Sequence, residues 1–445
     1  MRSLKIIMLV VVIASFASSG FTLAAEEESM GVSRGQDLDA LWAKVQETCD
    51  LDVEDAVLLL ESREVSLDEK GSLATTVHRV VWIGTSVGIR GYADLRIPWN
   101  TATSTLDVEI LRTWREGRWW PDPVRISETA VVPTLPHALD HADDYTIMRE
   151  TMLLHDGVEL PCIMETAYTI TTSDAPGTDG LMVMPQRDPA ALTVLKVTVP
   201  AGRDAGYEMM NGAPDPVIEE RPESISYTWT MYDLPGLALP LTGAAAAHEP
   251  AVVWSTWSDW AGLRDHWLAI FDEAAVPDAA LADSVDVWLE DASTRWSRIG
   301  AIAEGVNRDV RSIRYPERFW QYEPRPATRT WATGYGHALD RAVLAAALLR
   351  EAGYEVTPIF VGTGPVFVGE GTPRLADLGH LYLSIKGDPA GLYDPAAGTL
   401  TGQAPLIGLP IWRTDQYVDP FLGNSQWPNR LEVTLTLEPG EEGTW

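Results

Sequence analysis

The chain has 445 residues, 46% of them apolar, and 33 basic against 64 acidic side chains give it a formal charge of −31. That length exceeds one ordinary core and predicts two or three domains, while the apolar fraction excludes a disordered chain. The charge excludes nucleic acid as a partner, because binding there rests on Lys and Arg releasing condensed counterions; it favours solubility and requires no cationic partner.

The first residues stand apart. Arg2 and Lys5 precede the apolar run IIMLVVVIASF, the small residues ASSGFTLAA follow, and acidic EEES comes next. This is the layout of a signal peptide over residues 1–25, cleaved after Ala24 or Ala25. The run is shorter than the roughly 20 apolar residues of a membrane-spanning helix, and no later stretch qualifies. No cysteine near the cleavage site offers a lipid anchor. The expectation is an exported protein, periplasmic or extracellular, with no membrane span once the signal is removed. Whether Cys49 and Cys162 form a disulfide stays open at this level, two buried thiols being the alternative.

Residues 26–50 include GQDLDALWAKVQETC, where Leu38, Leu41, Trp42 and Val45 fall at helical spacing, so a short amphipathic helix comes first. Over 51–235 the grain changes to strand-length segments rich in Val, Ile, Leu and Thr, such as DAVLLLESREVSL, SLATTVHRVVWIG and AALTVLKVTVPAG, separated by turn residues. Many short strands predict an all-β, sandwich-like domain. Residues 236–252, with PGLALPLTGAAAAHEP, read as a linker.

From 253 to 412 the period turns helical. Trp260, Leu263, Trp267, Ile270 and Phe271 recur three and four apart, with Ser258 or Thr256 expected as N-cap. A second helix is predicted over DSVDVWLEDASTRWSRIGAIAEGV. The third is TGYGHALDRAVLAAALLREAGY, with a buried stripe of Leu339, Ala342, Val343, Ala346 and Leu349 and Gly353 as its stop. The strands EVTPIFVGT, HLYLSIKG and GLYDP follow, which makes this half α+β. Residues 413–445 open a further β region in which NRLEVTLTLEPGEEGTW is a strand without a partner; it either docks on an earlier sheet or belongs to a longer protein, and the latter is expected.

The third helix and the strands after it hold the chemistry. Thiol catalysis needs a thiolate at a helix N-terminus, a neighbouring His, and a third group that orients it. Here the helix starts at Ala338, His380 heads one strand and Asp394 ends the next, a spacing that fits a triad except that the nucleophile is alanine.

This half resembles a bacterial transglutaminase-like domain of the cysteine-protease fold, and the first half resembles the β-rich domain of unknown function that precedes it in exported bacterial proteins. The likeness spans about residues 50 to 412. Such helices open with Tyr-Gly-Asp-Cys-Lys-Asp-Lys-Ala and end in Leu-Arg-Glu-Ala-Gly; this chain has Tyr335, Gly336, His337, Ala338, Leu339, Asp340, Arg341 and Ala342, then LLREAG at 348–353. The matches on both sides fix the register, so the resemblance implies a pseudo-enzyme in which His380 and Asp394 persist and the catalytic Cys is replaced by Ala338.

A non-catalytic binding or scaffolding module is therefore the leading expectation, with a protein, peptide or cell-wall glycan as partner and neither cofactor nor bound metal. Candidate ligand-binding residues are His337, Asp340, His380 and the tandem Trp119 and Trp120 in an expected loop. Two alternatives stand beside it. One is a glycan or cell-wall binding protein using exposed Trp, since an aromatic face can stack on a sugar ring, although Trp260 and Trp267 read as packing. The other is a hydrolase or acyltransferase with an unrecognised nucleophile, or with a metal held by His337 and His380.

Overall fold

The structure, a computed structural model, describes residues 29–237, 249–315, 323–361, 372–375, 380–387, 391–401, 410–413 and 418–420. The signal segment, most of the linker and most of residues 413–445 lie outside the described residues.

The molecule is a multi-sheet, β-rich protein with most of its helices in the second half. Helix α1 (Leu38–Thr48) is capped by Asp37, whose side chain accepts from Ala40 N. An eight-stranded sheet follows, built in chain order from β1 (Ala56–Leu67), β2 (Leu73–Ile83), β3 (Ser104–Arg115), β4 (Arg118–Trp120), β5 (Cys162–Thr172), β6 (Ala190–Pro200), β7 (Val217–Glu220) and β8 (Ser224–Leu234). Its spatial order is β7-β8-β6-β1-β2-β5-β3-β4. All pairs are antiparallel except β6 with β1.

The long sheet is covered on both faces, which is why β1 opens with five consecutive buried apolar residues, Ala56 to Leu60. Leu58, Val65, Val81, Leu195, Val197 and Trp229 meet Met182, Val252 and Trp254 of a three-stranded sheet on one face. A second small sheet, Leu95–Asn100, Met148–Leu153 and Val131–Thr134, packs beside it on Leu106, Val108, Leu111 and Ile170. The opposite face takes α1 through Leu38 and Val45. Cys49 packs with the α1 cluster and Cys162 with the other face, and both thiols are free. Burial pushes the Cys162 thiol up to about 11.

One boundary differs from the sequence expectation. Residues read as the end of the linker and the start of the second half form β9 (Ala251–Ser255), the central strand of the first small sheet, between Asp179–Val183 and Gly206–Met210. All five residues are buried. So short an apolar run carries no period that tells strand from linker.

The second half begins with α2 (Trp260–Ala274), capped by Asp259 rather than by Ser258 or Thr256: its side chain accepts from Gly262 N at 2.7 Å. The long second helix of the sequence reading is two, α3 (Ala279–Leu289) and α4 (Arg295–Asp309). Thr294 and Ser297 form a reciprocal capping box that starts α4, and both local hydrogen bonds compete with a continuous helix. Then come α5 (Ala327–Thr333) and α6 (Ala338–Glu351).

Helix α6 is buried from Leu339 to Leu349 on every side, a wider burial than the single stripe expected. Its alanines let α2, α3, α4 and α5 on one side, and two strands on the other, approach closely. Those strands are β10 (Val356–Val361) and β11 (His380–Ile385), and the sheet is completed by β12 (Gly391–Asp394), β13 (Thr399–Thr401), β14 (Pro410–Arg413) and β15 (Val418–Pro420) in the order β13-β12-β11-β10-β14-β15. Gly353, at φ 86°, takes up the left-handed turn after α6. Among the described residues no helix is long and apolar enough to cross a membrane.

Candidate functional site

The start of α6 is fixed from both directions. Gly334 ends α5 in the left-handed conformation, and Tyr335–Gly336 pairs in parallel with Arg311–Ser312. A Cβ on Gly336 would lie 2.9 Å from the Asp340 Cβ, so only glycine lets the chain enter the helix here. His337 is the N-cap: its Nδ1 accepts from Asp340 N at 3.4 Å, and its Nε2 lies 3.4 Å from Asp340 Oδ1. An accepting Nδ1 leaves the ring proton on Nε2. Ala338 is the first helical residue and is half-buried.

His337 and Asp340 are both fully buried, and they serve a clamp between the two halves. Tyr145, from a 3-10 turn of the first half (Asp143–Tyr145), donates its hydroxyl to Asp340 Oδ2 and accepts from His337 N at 3.0 Å. Its ring stacks on His337, centroids 5.4 Å apart. Arg325 reaches Asp340 Oδ2 through Nε at 2.7 Å and Asp144 Oδ2 through Nη1 at 2.6 Å, and Arg329 also pairs with Asp144. Burial and the Asp340 charge both push the Tyr145 hydroxyl far up. Burial alone would lower Arg325, but the charge of Asp340 and the hydrogen bonds to Asp340 and Asp144 outweigh it and hold the guanidinium ionised. No sequence pattern pointed to Tyr145 or Asp144, because their partners Asp340 and Arg325 lie more than a hundred residues away across two domains.

The structure brings His380 and Asp394 together. The pairing of β11 with β12 sets Leu383 opposite Tyr393 and carries both residues to one end of the sheet. His380 Nε2 lies 3.2 Å from Asp394 Oδ2. Asp394 Oδ1 accepts from Ala396 N and Ala397 N at 2.9 and 3.0 Å. Burial would raise this carboxyl, but the hydrogen bonds from His380 and the two amides outweigh it and hold it below the usual carboxylate range. The His380 side chain keeps 34% of its surface and Asp394 only 13%, so the carboxylate stands behind a partly accessible imidazole.

The same end of the sheet faces the first turn of α6. Arg341, fully buried, donates to Asn307 Oδ1 at 2.7 Å, and the turn after β12 rests on Asn307 at Gly398. Next to Asp394, the Tyr393 hydroxyl is pushed up to about 12, by burial first and against the opposing charge of Arg341. The structure thus pairs His380 with Asp394, and Ala338 opens the helix that packs against the strand carrying His380. It places His337 and Asp340 in the clamp, turned to Tyr145 and Arg325. Among the described residues no group of three or more His, Cys, Asp or Glu is placed to hold a metal ion.

Trp119 and Trp120 are not on a loop. They form the edge strand β4, paired with Thr113 and Trp114 of β3. Trp119 donates its indole N–H to Met30 O at 3.1 Å and lies under the Arg112 guanidinium at 3.9 Å, and Trp120 meets Arg115 and Arg118 at 4.6 and 4.0 Å. Every described tryptophan is buried or half-buried. The tandem is therefore packing around cations, a role for which the flanking arginines were the available signal.

Residues 69–238 match a family described as a domain of unknown function with solved-structure structure (DUF3857). No curated protein matches the chain. The crystal structure of a presumed protease from Parabacteroides distasonis ATCC 8503 superposes with a TM-score of 0.73 at 18% identity, over 82% of this chain and 72% of that one. An M1 zinc metallopeptidase from Deinococcus radiodurans overlaps at a TM-score of 0.23 and 13% identity, over 45% of this chain and 42% of that one, too partial to support any argument. The chain thus joins a region similar to DUF3857 to further elements within a fold it shares with the Parabacteroides protein.

Proposed function

We propose that the second half, from α2 onward, forms a transglutaminase-like module with Ala338 in the place of the catalytic cysteine, and that the protein, once exported, acts by binding or scaffolding and not by acyl transfer. One observation carries the reading: the first residue of α6, the helix packed on the strand that holds the His380–Asp394 pair, is an alanine. A methyl group has no electron pair to give to a carbonyl carbon, so a base here has no thiol to activate. Cys49 and Cys162 both lie in the first half, on opposite faces of the long sheet. What persists is a partly accessible imidazole backed by a carboxylate, suited to accept or donate a hydrogen bond to a peptide group.

The test compares wild type, His380→Ala and Ala338→Cys. Wild type and His380→Ala are expected to show equal background in amide hydrolysis and in amine incorporation into a glutaminyl peptide. Ala338→Cys is expected to be alkylated by iodoacetamide near neutral pH roughly tenfold faster than an unactivated thiol, and adding His380→Ala should remove the gain. Turnover by the wild type that His380→Ala abolishes would overturn the non-catalytic reading.

A further inference from the structure

A cavity of about 360 Å³ lies between the two halves, lined by none of the residues discussed above as the site. That volume sits near the lower end of small-molecule sites, roughly 300–1,000 Å³. One wall comes from the first half, with Trp99 and Asn100 at the end of the strand Leu95–Asn100 and the segment Ala175–Asp179; the other comes from α2, with Leu263 and His266, and Glu323 also contributes.

Trp99 is held as a platform. Its indole N–H donates to Thr151 Oγ1 at 2.9 Å, and Thr151 is itself buried in the neighbouring strand, so the plane of the ring is set. The ring is half-buried and meets no other ring or guanidinium among the described residues. In this it differs from Trp119 and Trp120, whose faces are taken by arginines. Asn100 uses its Oδ1 to accept from Ala102 N at 2.9 Å, which turns its amide N–H groups to other acceptors. The His266 ring lies against Trp257, centroids 5.2 Å apart, and its nitrogens have no hydrogen-bond partner among the described residues.

The lining chooses among ligand classes. Among the described residues it contains no Lys or Arg to hold an anion, while Asp179 and Glu323 contribute carboxylates. A wholly apolar occupant would leave Asn100 and His266 desolvated without partners, a cost of about 1–3 kcal/mol each. A neutral molecule with an apolar face and a hydroxylated rim satisfies both walls. We propose that this cavity is a saccharide subsite, in which one neutral sugar ring stacks on Trp99 and its hydroxyls bond to Asn100 and His266. This assignment is independent of the reading of Ala338, His380 and Asp394.

The test is saturation-transfer difference NMR on the full chain with glucose, N-acetylglucosamine, galactose, mannose and xylose, with indole as an apolar control. At least one sugar is expected to bind in the millimolar range. Trp99→Ala should weaken it roughly tenfold or more, about 1.4 kcal/mol, with Asn100→Ala and His266→Ala costing about threefold each. Trp120→Ala should leave it unchanged. Because Trp99→Ala could disturb the small sheet, Trp99→Phe is measured alongside; it keeps a stacking face and should retain most of the binding at an unchanged unfolding midpoint. No saturation transfer to any of the five sugars at about 50 mM overturns the proposal. So does sugar binding that survives both Trp99→Ala and His266→Ala, and so does binding of indole without any sugar.

Discussion

Two histidine–carboxylate pairs, one taken from each half of the molecule, are built for different ends. In the first half His78 Nε2 lies 2.9 Å from Glu165 Oε1, both are buried, and Glu165 is also bonded by Ser33 and by Arg112, whose Nε stands 2.6 Å away. The carboxylate is the hub there, saturated from three sides, and Trp119 closes over Arg112. In the second half Asp394 is held by two backbone amides and His380 stands in front of it, partly open. A buried hub stabilises a fold, whereas an imidazole backed by a fixed acid and facing accessible space can meet a ligand. The distances alone, 2.9 and 3.2 Å, would not tell the pairs apart.

The sharpest way to break the contrast is to remove each carboxylate. Glu165→Ala leaves Arg112 and His78 without their buried partner and is expected to lower stability by roughly 3–5 kcal/mol in urea unfolding. A loss under about 1 kcal/mol would show that the hub is not structural. Asp340→Asn tests the clamp, the other saturated carboxylate: it keeps shape but removes the charge that holds Arg325, and about 2 kcal/mol is expected. Limited proteolysis should then cut between the halves more readily.

Acid titration sharpens the comparison with a third histidine. His155 donates to or accepts from Thr166 Oγ1 at 2.8 Å, and burial pushes its ring down to about 4. The unfolded chain takes up that proton near 6.5 and the folded one does not, so stability is full above about pH 6.5 and falls as the pH drops toward 4. His155→Gln should flatten this limb by on the order of 1 kcal/mol, read from unfolding midpoints across that window. Glu165 and Asp394, both held below the usual carboxylate range, contribute stability in full above that range and lose it as the pH falls through their lowered values, so their effect appears only below the His155 limb. The smallest effect belongs to His380→Ala, expected to cost less than about 1 kcal/mol because the ring is partly solvated. A larger loss would move the pair to the structural class beside His78 and Glu165.

Much of this was legible in the chain. The strand texture of β1, β2 and β6 and the entry of α6 at His337 and Ala338 follow from local chemistry, as does the placement of His380 and Asp394 at the ends of neighbouring strands. Three things were not legible. The break between α3 and α4 depends on a Thr294–Ser297 box inside a segment whose apolar period continues through it. The burial of Trp119 depends on residues 29–37 folding across the sheet to Met30. The clamp depends on Asp144 and Tyr145 meeting Arg325 and Asp340, and charged pairs so distant leave no spacing to read.

The strand β9 has a consequence for how the protein is made. It is the middle strand of its sheet, yet it lies beyond residue 238, where the DUF3857 match ends. During synthesis the strands Asp179–Val183 and Gly206–Met210 leave the ribosome without the neighbour that joins them. Until that strand is present, Met182 and the cluster around Trp229 lack the packing of Val252 and Trp254. A gene fragment cut at the family boundary would hold the nascent chain at that unfinished stage, with two unmatched edges; one extended past Ser255 would let the sheet close.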